Sequence, residues 1–123
     1  MDAMNEILAY AANEEKMFEK TLENFGTYRR KTTFFADLSI AERFGADAIR
    51  QTFDKVEKNW LGNVEYFTEF ILALNHKAWE WDARCDEAYS KLYAELYYEA
   101  DERFNANYEH DEAALEYYFQ VTD

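Results

Sequence analysis

Few residues in this chain have the types and spacing that chemistry needs. His76 has Glu80 one helical turn on and Glu69 two turns back, a row from which a helix could offer a metal three ligands. A carboxylate-bridged di-metal bundle wants a Glu-x-x-His pair on each of two helices and two further inward glutamates. No Glu-x-x-His occurs in the chain. All three residues of the His76 row fall on the polar side of their helix, where affinity would be weak and adventitious. Glu109-His110-Asp111 is a compact cluster in a predicted loop. Neither arrangement calls for a metal or cofactor. Cys85 could be paired with His76 or His110, yet no cationic surroundings would activate its thiol. Ser39 reads as a helix cap, and no glycine-rich phosphate loop is present. The carboxylate pairs Glu65/Glu69 and Glu95/Glu99 are one turn apart, a spacing that arises easily by chance. The reading is of a protein that is not an enzyme.

A second kind of chemistry is the binding of phosphate. Arg29-Arg30-Lys31 is the one basic run, set beside Tyr28 and Phe34, and it is shorter than the runs that usually grip nucleic acid. After it, DLSIAERFGADAIRQTF has the outline of a helix-turn-helix. Ser39 and Glu42 form a capping box that predicts a short helix from near Ile40 to Gly45, with Asp47 capping the next helix. A nucleic-acid role would rest on Arg29, Arg30, Lys31, Arg43 and Arg50 gathering into one patch. Against it, Gln51 and Asp54 stand where a recognition helix wants apolar anchors. Asp54 and Glu57 also dilute the field of Arg50, Lys55 and Lys58. A plain helical corner is the simpler reading, and nucleic acid is not expected as a partner.

The elements that must position these residues are helices. The chain has 123 residues, 49% hydrophobic and 19% aromatic, with three glycines and no proline. That composition predicts one all-α domain over residues 1–123 with short connections. Its organising stretch is Asp47–Trp81. There Ile49, Phe53, Val56, Trp60, Val64, Phe67, Ile71, Leu74, Ala78 and Trp81 fall within an arc roughly 100° wide when stepped at 3.6 residues per turn. The arc keeps its phase through Gly62, which predicts one long central helix over about residues 47–82, roughly 50 Å in length.

The pattern predicts a bundle of about four main helices plus a short C-terminal one, organised on that spine. The first covers about residues 2–25, with Met4, Leu8, Ala11, Phe18, Leu22 and Phe25 inward and Gly26 ending it. A linker, TYRRKTTFF, follows. Beyond the spine, Asp86 caps a helix reaching about residue 107, with Tyr89, Leu92, Tyr93, Leu96, Ala100 and Phe104 as its stripe. The last runs from about Asp111 to Phe119 and turns Leu115, Tyr118 and Phe119 to the core. The acidic N-terminus lacks the pattern of a signal peptide, and no apolar run is long enough for a membrane span. Cys85 is the single cysteine. The expectation is a cytoplasmic protein with no membrane partner.

Charge is unevenly placed. The net charge is −13; residues 27–58 carry seven bases against five acids, whereas residues 59–123 carry fifteen acids and four bases. Such a body repels nucleic acid and anionic lipid and attracts basic partners. Residues 86–123 hold eleven acids, two bases and seven of the ten tyrosines. Tyr98 lies nearly opposite its helix's core stripe, and Tyr97, Tyr117 and Tyr118 cannot all be buried in helices this short. Tyrosine among carboxylates makes good protein-binding surface, because it gives area at small entropy cost. The candidate partner-binding residues are therefore Tyr97, Tyr98, Glu95, Glu99, Asp101, Glu102 and Tyr117. Rows of carboxylates along helices can also imitate DNA phosphates and occupy a basic groove. Leu72 and Trp79 lie off both faces of the spine and would suit a homodimer contact.

FGTYRRKTTFFADLSIAERFGADAI followed by LNHKAWEWD resembles small uncharacterised acidic proteins carried on conjugative elements and plasmids of gut bacteria. The likeness covers the chain from about Met17 and is most distinctive over residues 26–49 and 74–82. It implies a setting and transfers no activity: accessory proteins of mobile elements often act on host defence or transfer machinery. The functional expectation is a non-enzymatic acidic helical protein that binds a basic protein partner. A DNA mimic and a degenerate helix-turn-helix regulator are the alternatives.

Overall fold

The computed structural model describes Lys16 and residues 30–122. Apart from Lys16, the predicted first helix, together with Gly26 and Arg29, lies outside the described residues. The described part is an all-α bundle of five helices: α1 (Lys31–Glu42), α2 (Ala46–Trp60), α3 (Val64–Ala83), α4 (Glu87–Asn107) and α5 (Glu112–Thr122). No described helix is long and apolar enough to cross a membrane.

The predicted long helix is two helices. α2 stops at Trp60, the chain turns through Leu61–Gly62–Asn63, and the Asn63 side chain accepts the Tyr66 N–H at 3.0 Å to start α3. The chain then doubles back. In one continuous helix Phe53 and Phe70 would stand about 25 Å apart at ~1.5 Å per residue. Their ring centroids are 5.8 Å apart, and the Trp60 ring stacks on Tyr66 across the turn at 4.2 Å. The stripe itself was read correctly, since Ile49, Phe53, Val56, Phe67, Ile71, Leu74 and Ala78 are all buried. Phase continuity shows which residues face the core. It cannot tell a straight axis from a folded one, because both arms of a hairpin face the same core.

The short helix predicted near Ile40 begins at Lys31 instead, so most of the predicted linker is helical. Phe34, Leu38 and Ala41 form its buried stripe. Ser39 lies mid-helix, its hydroxyl donating to the Phe35 carbonyl at 2.9 Å. The capping box therefore does not form, because the apolar stripe extends the helix back past it. The start of α1 has no side-chain cap of its own; the Lys31 N–H donates to the Glu69 carboxylate of α3 at 2.6 Å. Gly45, at φ +99°, makes the corner into α2 and takes the capping position assigned to Asp47, which sits in the first helical turn.

Asp86 caps α4 as predicted, accepting the Tyr89 N–H at 3.1 Å, and Asp111 does the same for Ala114 at the start of α5. An aromatic chain links the layers: Phe34 of α1 meets Phe70 of α3, Phe67 meets Phe104 of α4, and Phe104 stacks on Tyr118 of α5. Phe119 points away from the core and is 50% exposed, against expectation.

Candidate functional site

Two constellations stand out from the fold, one buried and one open. The buried one is centred on Lys77 of α3, whose side chain is only 1% exposed. Its ammonium donates to Ser39 Oγ at 2.6 Å and to Glu80 Oε2 at 3.0 Å, and it pairs with Glu42 Oε1 at 2.8 Å. It also lies over the Phe35 ring at 4.2 Å. Glu42 Oε1 accepts two further bonds, from Trp81 Nε1 at 2.9 Å and from the Tyr93 hydroxyl at 2.7 Å. Glu80 is shared with Arg84 at 3.0 Å. Two cations thus meet two carboxylates across α1, α3 and the α3–α4 turn, with Tyr93 reaching in from α4.

A Ser–Lys contact is a nucleophile geometry in some hydrolases, but here every ammonium proton and the serine hydroxyl are already engaged. A cleft of about 260 Å³ lined by Lys31, Thr32, Phe35 and His76 includes neither group in its lining. The hub ties three helices in register. Tyr93 reports its surroundings: burial, then the Glu42 carboxylate, pushes the hydroxyl far above its ordinary titration range.

The open constellation is a groove of about 310 Å³ between α3 and α4. Asn75, Ala78, Trp79 and Asp82 line it from α3, and Ser90, Ala94, Tyr97 and Tyr98 from α4. Helical spacing creates it. Asn75, Trp79 and Asp82 are three or four residues apart and share one face, as do Ala94 and Tyr98. The helices are locked beneath it, with Ser90 Oγ donating to the Ala78 carbonyl at 3.1 Å. Trp79 is 73% exposed and Tyr98 68%, the two most exposed large apolar side chains described. Tyr97 and Tyr98 meet edge to face at 5.5 Å.

The sequence-derived partner residues divide around this groove. Tyr97 and Tyr98 line it, while Glu95 and Glu102 are exposed one turn before and after Tyr98 on α4. Glu99 is turned to internal partners, Arg50 at 3.7 Å and Arg103 at 3.4 Å. Arg103 also binds Glu57, whose carboxyl is raised by burial despite that cation. Asp101 accepts from the Tyr118 hydroxyl and from Asn105 at 3.4 Å. Tyr117 is half-buried on α5. Trp79 was singled out by its angle off both faces of the spine, and Asp82 was not singled out at all.

The cation set does not assemble among the described residues. Arg30 and Arg43 flank the 12-residue α1, about 20 Å apart. Lys31 is half-buried at its start, and Arg50 is held by Glu99 on α4. The His76 row is likewise dispersed. His76 packs on the Phe35 ring at 5.2 Å, Glu69 caps α1 and Glu80 belongs to the Lys77 hub. Among the described residues no group of three His, Cys, Asp or Glu side chains is placed to hold a metal ion. Cys85 is exposed in the α3–α4 turn at φ +60°, and the 21-residue α4, about 30 Å long, separates it from His110.

No protein-family model matches the chain, and no curated protein or solved structure matches it closely enough to show kinship.

Proposed function

We propose that this chain is a non-enzymatic binding module that engages another protein through the α3–α4 groove. The observation that carries the reading is the exposure of Trp79 and Tyr98 side by side on two locked helices. Large aromatic side chains are the residues most enriched at the energetic centres of interfaces. Held on a preformed helical surface, they lose little freedom on binding. The rim adds carboxylates at Asp82, Glu95 and Glu102, all exposed. With a net charge of −13, they favour a basic partner. That charge also disfavours a second copy of this chain, since two acidic rims would meet.

The DNA-mimic alternative needs an uninterrupted row of free carboxylates. The engagement of Glu99 by two arginines and of Asp101 by Tyr118 weighs against it. A regulator working through Arg30, Lys31, Arg43 and Arg50 is disfavoured by their dispersal. A role as an accessory factor of a mobile element remains part of the proposal, resting on the sequence resemblance.

Site-specific photo-cross-linking in the native host tests the reading. Tyr98→benzoylphenylalanine should yield one discrete adduct, and Lys55→benzoylphenylalanine, exposed on α2, should not. An excess of untagged wild-type chain should abolish the adduct, and the Trp79→Ala chain should need about tenfold more to do the same. If no adduct forms at position 98, or if both competitors abolish it equally, the groove is not the binding face.

A further inference from the structure

Resting on the reading of the groove as a protein-binding face, we infer that its central occupant is an arginine side chain of a basic partner segment. A guanidinium is planar and weakly hydrated: its faces stack on aromatic rings while its five in-plane N–H groups seek acceptors at the edge. The groove offers both. Trp79, Tyr97 and Tyr98 supply the rings, and Asn75 and Asp82 supply carbonyl and carboxylate oxygens on the same wall as Trp79. Ala78 and Ala94 supply the small floor that lets a flat group enter.

The chain already uses this chemistry two residues further along α3. There the Arg84 guanidinium lies over the Trp81 ring, 5.0 Å from its centroid, while bonding Glu80 at 3.0 Å. At Trp79 the ring and the acceptors are present, Lys31 lies beside the ring in a neighbouring cleft, and among the described residues no cation is seated over it, so that cation is the part a partner would bring. Lysine fits less well, because its ammonium is compact and strongly hydrated and cannot stack. An uncharged aliphatic side chain would fill the rings but leave Asp82 without a counter-charge. Charge complementarity chooses among these occupants: the rim sets Asp82, Glu95 and Glu102 against one exposed cation, Lys91, and is net acidic, as is the whole chain.

Two synthetic peptides of the same length, identical except that one carries arginine and the other its neutral isostere citrulline, test this on the wild-type full chain. The readouts are the Trp79 indole N–H resonance, assigned with Trp79→Phe, and the affinity. The arginine peptide should shift that resonance in a saturable way and bind about tenfold more tightly than the citrulline peptide. Trp79→Ala and Tyr98→Ala should each weaken the arginine peptide by about tenfold. Phe119→Ala, which removes an exposed aromatic ring elsewhere, should leave it unchanged. Equal response to citrulline overturns the assignment. So does binding that leaves the Trp79 resonance in place, which would mark diffuse attraction to the acidic body. Self-association that Trp79→Ala abolishes overturns it too, in favour of a second copy. If position 98 cross-links to a partner while arginine and citrulline peptides respond alike, the binding face stands and the arginine assignment falls. If position 98 does not cross-link, the face itself is wrong.

Discussion

Glu42 receives a tryptophan N–H, a tyrosine hydroxyl and an ammonium on one carboxylate oxygen. Removing one side of a buried ion pair costs about 3–5 kcal/mol, because the other charge is stranded in a poor solvent. Lys77→Met should therefore lower the free energy of unfolding by about 3 kcal/mol in urea titrations. Adding Glu42→Gln should recover part of that loss, since a neutral amide can still accept from Trp81 and Tyr93; purely additive losses would mean that the two groups do not interact. Two buried tyrosines, Tyr93 in this hub and Tyr118 beside Asp101, make stability depend on alkaline pH. The Tyr93 and Tyr118 hydroxyls are held protonated by burial and by the neighbouring Glu42 and Asp101 carboxylates. Their folded pKa values are raised, so the stabilisation is intact below the unfolded value of about 10 and is lost as pH rises beyond it. Unfolding free energy should fall above about pH 10. Tyrosinate absorbance should show these two groups ionising only with the unfolding transition, and Tyr93→Phe should flatten the pH slope. Nothing local in the sequence announced Lys77 as a hub. Its partners come from α1, at Phe35, Ser39 and Glu42, and from its own helix, at Glu80, and only the packing of α1 on α3 brings them together.

At the scale of elements, the two described glycines do different work. Gly45 stands at φ +99°, a conformation that side-chain-bearing residues rarely adopt, whereas Gly62 has an ordinary φ and open space around a would-be Cβ. Gly45→Ala should destabilise by about 1–2 kcal/mol. Gly62→Ala should be neutral or stabilising by up to about 1 kcal/mol, and Asn63→Ala should cost about 1 kcal/mol by removing the cap on Tyr66. Thermal and urea denaturation of the three variants measures this. A Gly62→Ala loss as large as that at Gly45 would contradict the turn geometry. This turn also marks where the sequence was legible and where it was not. Helical class, the inward stripe and the Asp86 cap followed from spacing and side-chain chemistry. The break at 61–63 did not, because the hydrophobic phase survives it; Gly62-Asn63 was the available turn signal. The capping box at Ser39 failed for the complementary reason, a local signal overridden by the Phe34–Leu38–Ala41 stripe. The groove was half visible. Tyr98 and Trp79 could be placed off the core by angle alone, but their meeting across α3 and α4 needed the register set at the Cys85 turn.

For the whole molecule, the decisive quantity is a net charge of −13 borne by a chain in which several of the described cations are already paired with acids. Arg50 and Arg103 are spent on Glu99 and Glu57, Lys77 on Glu42, and Arg84 on Glu80. What faces a partner around Trp79 and Tyr98 is a rim of three carboxylates, Asp82, Glu95 and Glu102, with Lys91 as the exposed cation on the same face of α4. Exposed charges act mainly on encounter, over a screening length of about 10 Å at 0.1 M salt, whereas stacked rings act on residence. The two contributions can therefore be separated kinetically with the arginine peptide. Raising salt from about 0.05 to about 0.5 M should slow association several-fold and leave dissociation nearly unchanged. The triple neutralisation Asp82→Asn, Glu95→Gln and Glu102→Gln should reproduce most of that slowing at low salt. Trp79→Ala should do the reverse, quickening dissociation with little effect on association. Folding stability should stay within about 0.5 kcal/mol of wild type for Trp79→Ala, because the side chain is exposed. Stopped-flow fluorescence from a label on the peptide resolves both rates. Should the triple variant change dissociation alone, the rim carboxylates would be direct contacts in the bound state, and the division between an acidic rim that gathers and aromatic rings that hold would be wrong.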